Sequence, residues 1–480
     1  MNINYSYSWN LNIIFGNKSL KETLETLLRM DNEIFHTEED KEYLYKLVKD
    51  IRLYEELSKQ IGKDIPDWKL ELSPVMKDSL IPSKDKMNQK NFLGAYSRLV
   101  NKMNFNLSTD DKTMNVNKSY LEHLLSSSNI SDERRKAYHA LYEPYIQNQE
   151  ILDHLIELMV RNNNDVNPLN QEINFLINSV PKNITYEEYL NVRFGNEIKL
   201  YNKAFSNNNL KLLSENEAIV IIIHCLKTKL NTKFERTIVN ALSEGRFDIL
   251  PKKGKYPGSF CLNLEGKGTF LLSNFYGDID SLFNLMHEIG HYISFNMVEN
   301  RDVLIVISEI HAIVCELILI NQLIDENKSS SAYTIYLEYY LELYDEYIFS
   351  QLMIADFELQ IYGGNNIKNF PLLFEDLLVK YYKSKIIDTD IEKFGYLRMP
   401  QLFKKFYTST YPIAFFIAQY IVENLLPTNN NVYLEVMKNS NNFSKLDQLL
   451  ELLGISINQD LVDFSFKKLD KILNEYKMFT

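Results

Sequence analysis

Glycine and proline are scarce, 15 and 12 among 480 residues. That argues against a fold of many short strands and tight turns and leaves room for long helices. Cysteine is scarcer still: Cys225, Cys261 and Cys315 stand alone, with no CxxC pair. A disulfide framework is thereby excluded, and a reducing compartment is the simpler reading. Positive charge is in deficit, with a net charge of −12 and no basic stripe, which argues against a nucleic-acid partner. Long apolar runs are lacking as well. Ile310–Leu323 and Ile413–Leu426 are each about 14 residues, interrupted by Glu316 and Glu423, and fall short of the roughly 20 that span a bilayer. They read as buried helices, with no membrane partner. Met1–Asn10 lacks the basic and apolar pattern of a signal peptide, so a cytoplasmic protein is expected.

Hydrophobic residues make up 45% of the chain, with 31 Tyr and 27 Phe, enough for a sizeable core or an aromatic groove. The length predicts two or three lobes. Apolar residues recur at helical spacing in Lys41–Gln60, Tyr120–Ser126, Glu133–Met159 and Tyr186–Phe205, with Ser131 as a helix cap. Asn162–Asn167 and Ser206–Asn209 read as loops. Pro251–Cys261 is also loop-like, and Thr269–Phe275 is the best strand candidate, ending at Gly277-Asp278. No fixed-period repeat occurs. From Ile279 the pattern is helical almost to the end.

Residues 287–291 read His-Glu-Ile-Gly-His. On a helix, positions i and i+4 share a face, so His287 and His291 can reach one metal ion. Catalytic zinc takes three protein ligands and leaves a fourth position for water. The metal lowers the pKa of that water, and Glu288 stands ready to take its proton and pass it to a leaving amine. A third ligand must come from downstream. Glu299, Asp302, Glu309, His311 and Glu316 are the local choices. Glu309 and Glu316 lie seven residues apart on one helical face. One of the two ligates while the other backs a ligand histidine. The stretch around them is apolar, where a carboxylate without a partner is costly. His311 points away from Glu309 and reads as structural.

Together these residues resemble the oligoendopeptidase F and thimet oligopeptidase family of zinc metallopeptidases. A strand-like segment and Ser281-Leu282-Phe283 precede the histidine motif, as in that family. Ser308-Glu309-Ile310-His311-Ala312 followed by Glu316 is similar to the segment around the family's third zinc ligand. The resemblance therefore assigns one zinc ion per chain to His287, His291 and Glu309, with Glu316 behind a histidine. Ala355–Leu359, Arg398-Met399-Pro400 and Phe406-Tyr407 also resemble family segments, with weaker matches at Trp9, Arg134–Tyr142 and Lys252–Gly254. The likeness runs from about residue 245 to 425 and thins on either side. Three departures stand out. The chain is shorter in its N-terminal part, and the connection from His291 to Glu309, around Asn296–Val303, is trimmed. Gln401 replaces a histidine that follows the proline, and Ser409 replaces a tyrosine, while Tyr411 is kept.

The resemblance implies a mainly α fold: two helical lobes flanking a deep substrate channel, with a small β-sheet beside the zinc-binding helix. Lobes at 1–205 (N-terminal) and 206–480 (catalytic) are expected. It also implies a zinc-dependent metalloendopeptidase acting on internal bonds of short or unfolded oligopeptides. Tyr407 and Tyr411 would stabilise the oxyanion, and Tyr396, Arg398 and Gln401 would line the channel. Thr269 and Leu271, on an edge strand, would pair with the peptide backbone. Gly254 and Gly258 would mark a substrate loop or turns. Two rival functions are a dedicated protease that matures one leader or signalling peptide, and a zinc-bound peptide-binding protein without turnover.

Overall fold

A computed structural model describes Trp9 and residues 89–479, apart from 101, 109–111, 117, 162–166, 196–197, 199–211, 252–257, 265–267, 299–302, 364–368, 384–388 and 405. The stretch Lys41–Gln60, the break at 206–209, most of the one at 162–167, and Gly254 lie outside the described residues. What is described is mainly helical, as the scarcity of glycine and proline predicts. It forms two compact units, and they differ from the consecutive lobes expected at 1–205 and 206–480. One holds Trp9, Leu210–Tyr336 and Ala414–Ser456; the other holds the described part of Pro74–Asn209 with Leu337–Ile413 and Ile457–Thr480. Helical periodicity marks which face of a segment is buried, not which segment buries it.

The unit that carries the histidine motif contains a three-stranded sheet. Gly268–Leu272 is its central strand, parallel to Phe247–Asp248 on one side and antiparallel to Phe260–Leu264 on the other. Phe260 and Cys261, expected in a loop, are thus part of a strand. The Trp9 indole Nε1–H donates to the Leu271 carbonyl at 2.7 Å. The sheet rests on the helix Ile279–Met297: Phe247 meets Tyr292 edge to face, and Cys261 Sγ donates to the Glu288 carbonyl at 3.4 Å. That helix starts where Asp278 accepts the Ser281 N–H at 2.8 Å, an N-cap that satisfies an otherwise orphan donor. Its neighbour is the helix Ile305–Asn327, 23 residues long. By length and apolarity it exceeds the span expected from sequence, yet 83% of its apolar window is buried inside the protein, and it carries Glu309 and Glu316.

In the second unit, the helix expected over Glu133–Met159 is two helices, Ser131–Gln147 and Gln149–Arg161. Ser131 is their first helical residue and not the cap; Ile130 holds that position without a side-chain bond. The helix Ile184–Phe194 stops short of Phe205 because Gly195, at φ +64°, turns the chain into the left-handed region. The helix Gln351–Tyr362 sets Glu358 beneath the turn that follows residue 405. This fully buried carboxyl accepts from the Phe406 N–H at 3.1 Å and from the Thr408 hydroxyl. It holds Phe406 at φ +57°, a conformation rare for an aromatic residue.

Burial raises the Glu358 pKa to about 7, against the pull of those two donors. Between the ordinary value of 4.5 and about 7 the folded protein keeps a proton that the unfolded chain loses. Its contribution is therefore full below the ordinary value and is lost as the pH rises toward neutrality, by about 3 kcal/mol in all. Urea unfolding of wild type and Glu358→Gln at a series of pH values measures this. The stability of wild type relative to the variant is expected to fall across that window; a flat difference would contradict the assignment.

Candidate active site

The helix Ile279–Met297 presents His287 and His291 one turn apart on one face. Against it lies the Ile305–Asn327 helix, close enough to deliver Glu309 to both imidazoles. The approach is permitted by Gly290, where a β-carbon would lie 2.7 Å from Ala312 Cα and 3.1 Å from the His311 carbonyl oxygen. His287 Nε2 and His291 Nε2 are 3.2 Å apart, and Glu309 Oε2 is 3.4 Å and 3.9 Å from them. A tetrahedral zinc site with bonds of about 2.05 Å has ligand–ligand edges of about 3.3 Å. The three donor atoms have the spacing of such a face.

Two further side chains orient the imidazoles from behind. Glu316 Oε1 is 2.5 Å from His287 Nδ1, and Ser308 Oγ is 2.9 Å from His291 Nδ1. A ligand histidine whose second nitrogen is held this way has its ring plane fixed and its other nitrogen aimed at the ion. Of the two carboxylates that share a face in sequence, Glu309 points at the histidine pair and Glu316 stands behind His287. Ser308 carries no sequence signature of its own. The only hint was its place one residue before Glu309.

The electrostatics of the cluster favour a cation. Glu288, Glu309 and Glu316 are all buried, and buried negative charge needs a counter-charge. Burial alone would lower the His287 pKa, but Glu309 and Glu316 reverse that and hold it well above its ordinary value. Burial takes His291 down to about 4, partly opposed by Glu309. Burial, reinforced by Glu309 and Glu316 and opposed by His287, pushes the Glu288 carboxyl up to about 8. Glu288 Oε2 is buried without a hydrogen-bond partner among the described residues. The donor set, two imidazole nitrogens and a carboxylate oxygen, suits zinc or another divalent transition ion. His287, His291 and Glu309 fit a metal ion.

Other residues singled out from sequence fall elsewhere. Thr269 and Leu271 are buried on the central strand of the sheet, so the expectation of an edge strand there is corrected. Phe260–Leu264 pairs along the whole of one side, and Phe247–Asp248 pairs with Leu271 and Leu272 on the other. Among the described residues, Phe247–Asp248 and Phe260–Leu264 are the two outer strands. Tyr396 does not line a channel: it is buried among Phe357, Phe370 and Phe374, and its hydroxyl donates to Asp153 Oδ1 at 2.7 Å. Arg398 lies over the Tyr142 ring, 4.6 Å from its centre, and Gln401 is exposed. Tyr407 and Tyr411 are half-buried with their hydroxyls 3.1 Å apart. Ser409 is buried and accepts from Asn167 Nδ2 at 3.0 Å. The Gly258 carbonyl accepts from Asn274 Nδ2 at 3.1 Å. His311 faces away from the cluster, toward Tyr433 and Ser440. Glu299 and Asp302 lie outside the described residues.

Comparison with known proteins agrees with this geometry. Residues 228–435 match Peptidase family M3. The chain is 26% identical over 259 residues to the chromosomal oligoendopeptidase F of Lactococcus lactis subsp. cremoris, covering 51% of this chain and 43% of that protein. It is 26% identical over 257 residues to the group B oligopeptidase PepB of Streptococcus agalactiae, covering 50% and 43%. The matched stretch thus spans less than half the length of these relatives. Among solved structures, oligoendopeptidase-F from Enterococcus faecium shares the fold, with a TM-score of 0.60 and 14% identity over 98% of this chain and 92% of that one. The matched stretch, residues 228–435, contains both helices of the histidine–glutamate cluster, and it is over this stretch that the chain is similar to peptidase family M3.

Proposed function

We propose that this chain is a zinc-dependent endopeptidase that hydrolyses internal bonds of short or unfolded oligopeptides. The observation that carries the reading is the near-tetrahedral spacing of His287 Nε2, His291 Nε2 and Glu309 Oε2, at 3.2, 3.4 and 3.9 Å, beside a buried carboxyl with an oxygen left over for a proton. The relatives named oligoendopeptidase F support the substrate class. Zinc, when bound, supplies Lewis acidity that makes a water at the open position more acidic and polarises the scissile carbonyl. Glu288 takes the proton of that water on its carboxylate and returns it to the departing amine. Glu316 and Ser308 keep the two imidazoles in the orientation that presents Nε2. Tyr407 and Tyr411 are the candidate hydroxyl donors to the oxyanion, a role supported by their paired, half-exposed hydroxyls. Arg398 and Gln401 are the remaining candidates for substrate contact, Gln401 by its exposure.

Metal removal tests the reading. Dialysis against a strong chelator is expected to lower hydrolysis of a quenched oligopeptide library by about a hundredfold or more, because both the acidified water and the polarised carbonyl go with the ion. About one equivalent of zinc per chain restores it. Mass analysis of the products separates a general oligopeptidase, which gives many cuts, from an enzyme dedicated to one peptide. Hydrolysis that survives chelation, or stoichiometric zinc binding with no hydrolysis of any peptide, would defeat the proposal.

A further inference from the structure

The helix Ile305–Asn327 packs through a nearly unbroken run of isoleucine, valine and leucine. Apolar contacts of that kind are non-directional, so they do little to fix how far a helix slides or rotates on its neighbour. A metal ligand tolerates little freedom, since a site loosened by about 1 Å loses much of its function. What sets the register must be a directional contact. On this helix His311 supplies one. It is completely buried, with Nδ1 at 3.3 Å from the Tyr433 hydroxyl and Nε2 at 2.7 Å from Ser440 Oγ.

The proton count is determined by the third member of the network. Ser440 Oγ donates its only proton to the Val436 carbonyl at 2.9 Å, so toward His311 it acts as an acceptor. Nε2 therefore carries the imidazole proton, and Nδ1 accepts from Tyr433. In this arrangement each of the three side chains is satisfied, and a fully satisfied buried network specifies position more sharply than apolar packing does. At about 100° per residue, His311 points nearly opposite to Glu309. The turn 308–312 is thus fixed on two sides. Gly290 admits it closely against the histidine helix, and His311 ties it to Tyr433 on the helix Leu426–Lys438 and to Ser440 just beyond.

We propose that His311 is a positioning residue for the metal centre: through its bonds to Tyr433 and Ser440 it sets the register at which Glu309 meets His287 and His291. The inference rests on the reading of Glu309 as a metal ligand.

The test measures metal binding, not turnover. Zinc affinity is read by competition with a chromophoric chelator, and ligand geometry by the visible spectrum of the cobalt-substituted protein. His311→Leu keeps the volume and removes both bonds; His311→Asn restores part of the donor and acceptor set. Tyr433→Phe and Ser440→Ala break the network one bond at a time, and they decide the matter should His311→Leu fail to fold. Ile238→Ala, in the core of the same unit, reports what destabilisation alone does. His311→Leu is expected to weaken zinc binding about 10- to 100-fold, the range for loss of an outer partner, and to alter the cobalt spectrum. His311→Asn should recover part of the loss, the two single-bond variants should fall between, and Ile238→Ala should leave affinity and spectrum in place. Unchanged affinity and spectrum across the network variants, or an equal loss in Ile238→Ala, overturn the inference while leaving Glu309 as ligand. A wild-type chain that binds no zinc overturns both.

Discussion

Glu288→Gln is expected to lower kcat on an oligopeptide by about a thousandfold or more while zinc stays bound at one equivalent. The substitution conserves shape and removes the one buried carboxyl near the histidine pair, among the described residues, that neither belongs to the donor trio nor bonds a histidine nitrogen. General base catalysis accounts for about 10²–10⁴ of rate. In the proposed mechanism the same group both activates water and serves the leaving amine, which places the expected loss high in that range. KM should change little, because glutamine occupies the same space and removes no contact that binds substrate in the ground state. The fold should not suffer either. A carboxyl that burial pushes up to about 8 is held in surroundings hostile to its charge, and a neutral amide of the same size relieves that cost. Lost turnover with retained zinc and an unchanged or higher melting temperature is thus the predicted signature. Turnover above about a tenth of wild type would remove Glu288 from the role of base, and loss of zinc would make it a ligand instead.

The parts of this site that were legible in the sequence are those encoded over a single helix turn. His-Glu-Ile-Gly-His sets two imidazoles on one face by spacing alone, and the seven-residue interval from Glu309 to Glu316 sets two carboxylates on one face of the next helix. The structure puts both carboxylates at work, one toward the donor atoms and one behind His287. Contacts between residues distant in sequence were not legible. Gly268–Leu272 looked the same as an edge strand and as a central one, because its alternation is hidden when both faces are covered. Tyr396 looked like a channel residue because nothing local says that Asp153, 243 residues earlier, waits for its hydroxyl. The contact Ser308 makes with His291 is not legible, because a serine reveals a role only through its partner. The division into two units is not legible for the same reason: segments 337–413 and 457–480 return to the unit that holds the described part of 74–209, and amphipathic faces are silent about destination.

Gly290→Ala separates a packing argument from a propensity argument, since the two predict opposite signs. Within a helix, alanine is favoured over glycine by about 1 kcal/mol, so at an unconstrained position the change stabilises. Here the new methyl would sit 2.7 Å from Ala312 Cα and 3.1 Å from the His311 carbonyl oxygen. Both are backbone atoms, so no flexible side chain can swing aside. Relief requires the two helices to separate by roughly an ångström, and overpacking of that kind costs about 1–3 kcal/mol. The displacement falls between the turn bearing His287 and His291 and the turn bearing Glu309, so the donor triangle opens where it must stay closed. We expect a lower melting temperature and, more tellingly, zinc affinity reduced by about a hundredfold, because the third ligand withdraws while both histidines remain on their own helix. Gly290→Ser should behave the same way, since the obstacle is the β-carbon and not polarity. An alanine variant that melts higher than wild type and keeps its zinc would show that the helices have slack at this crossing, and that Glu309 is held to the histidines by something other than their close approach.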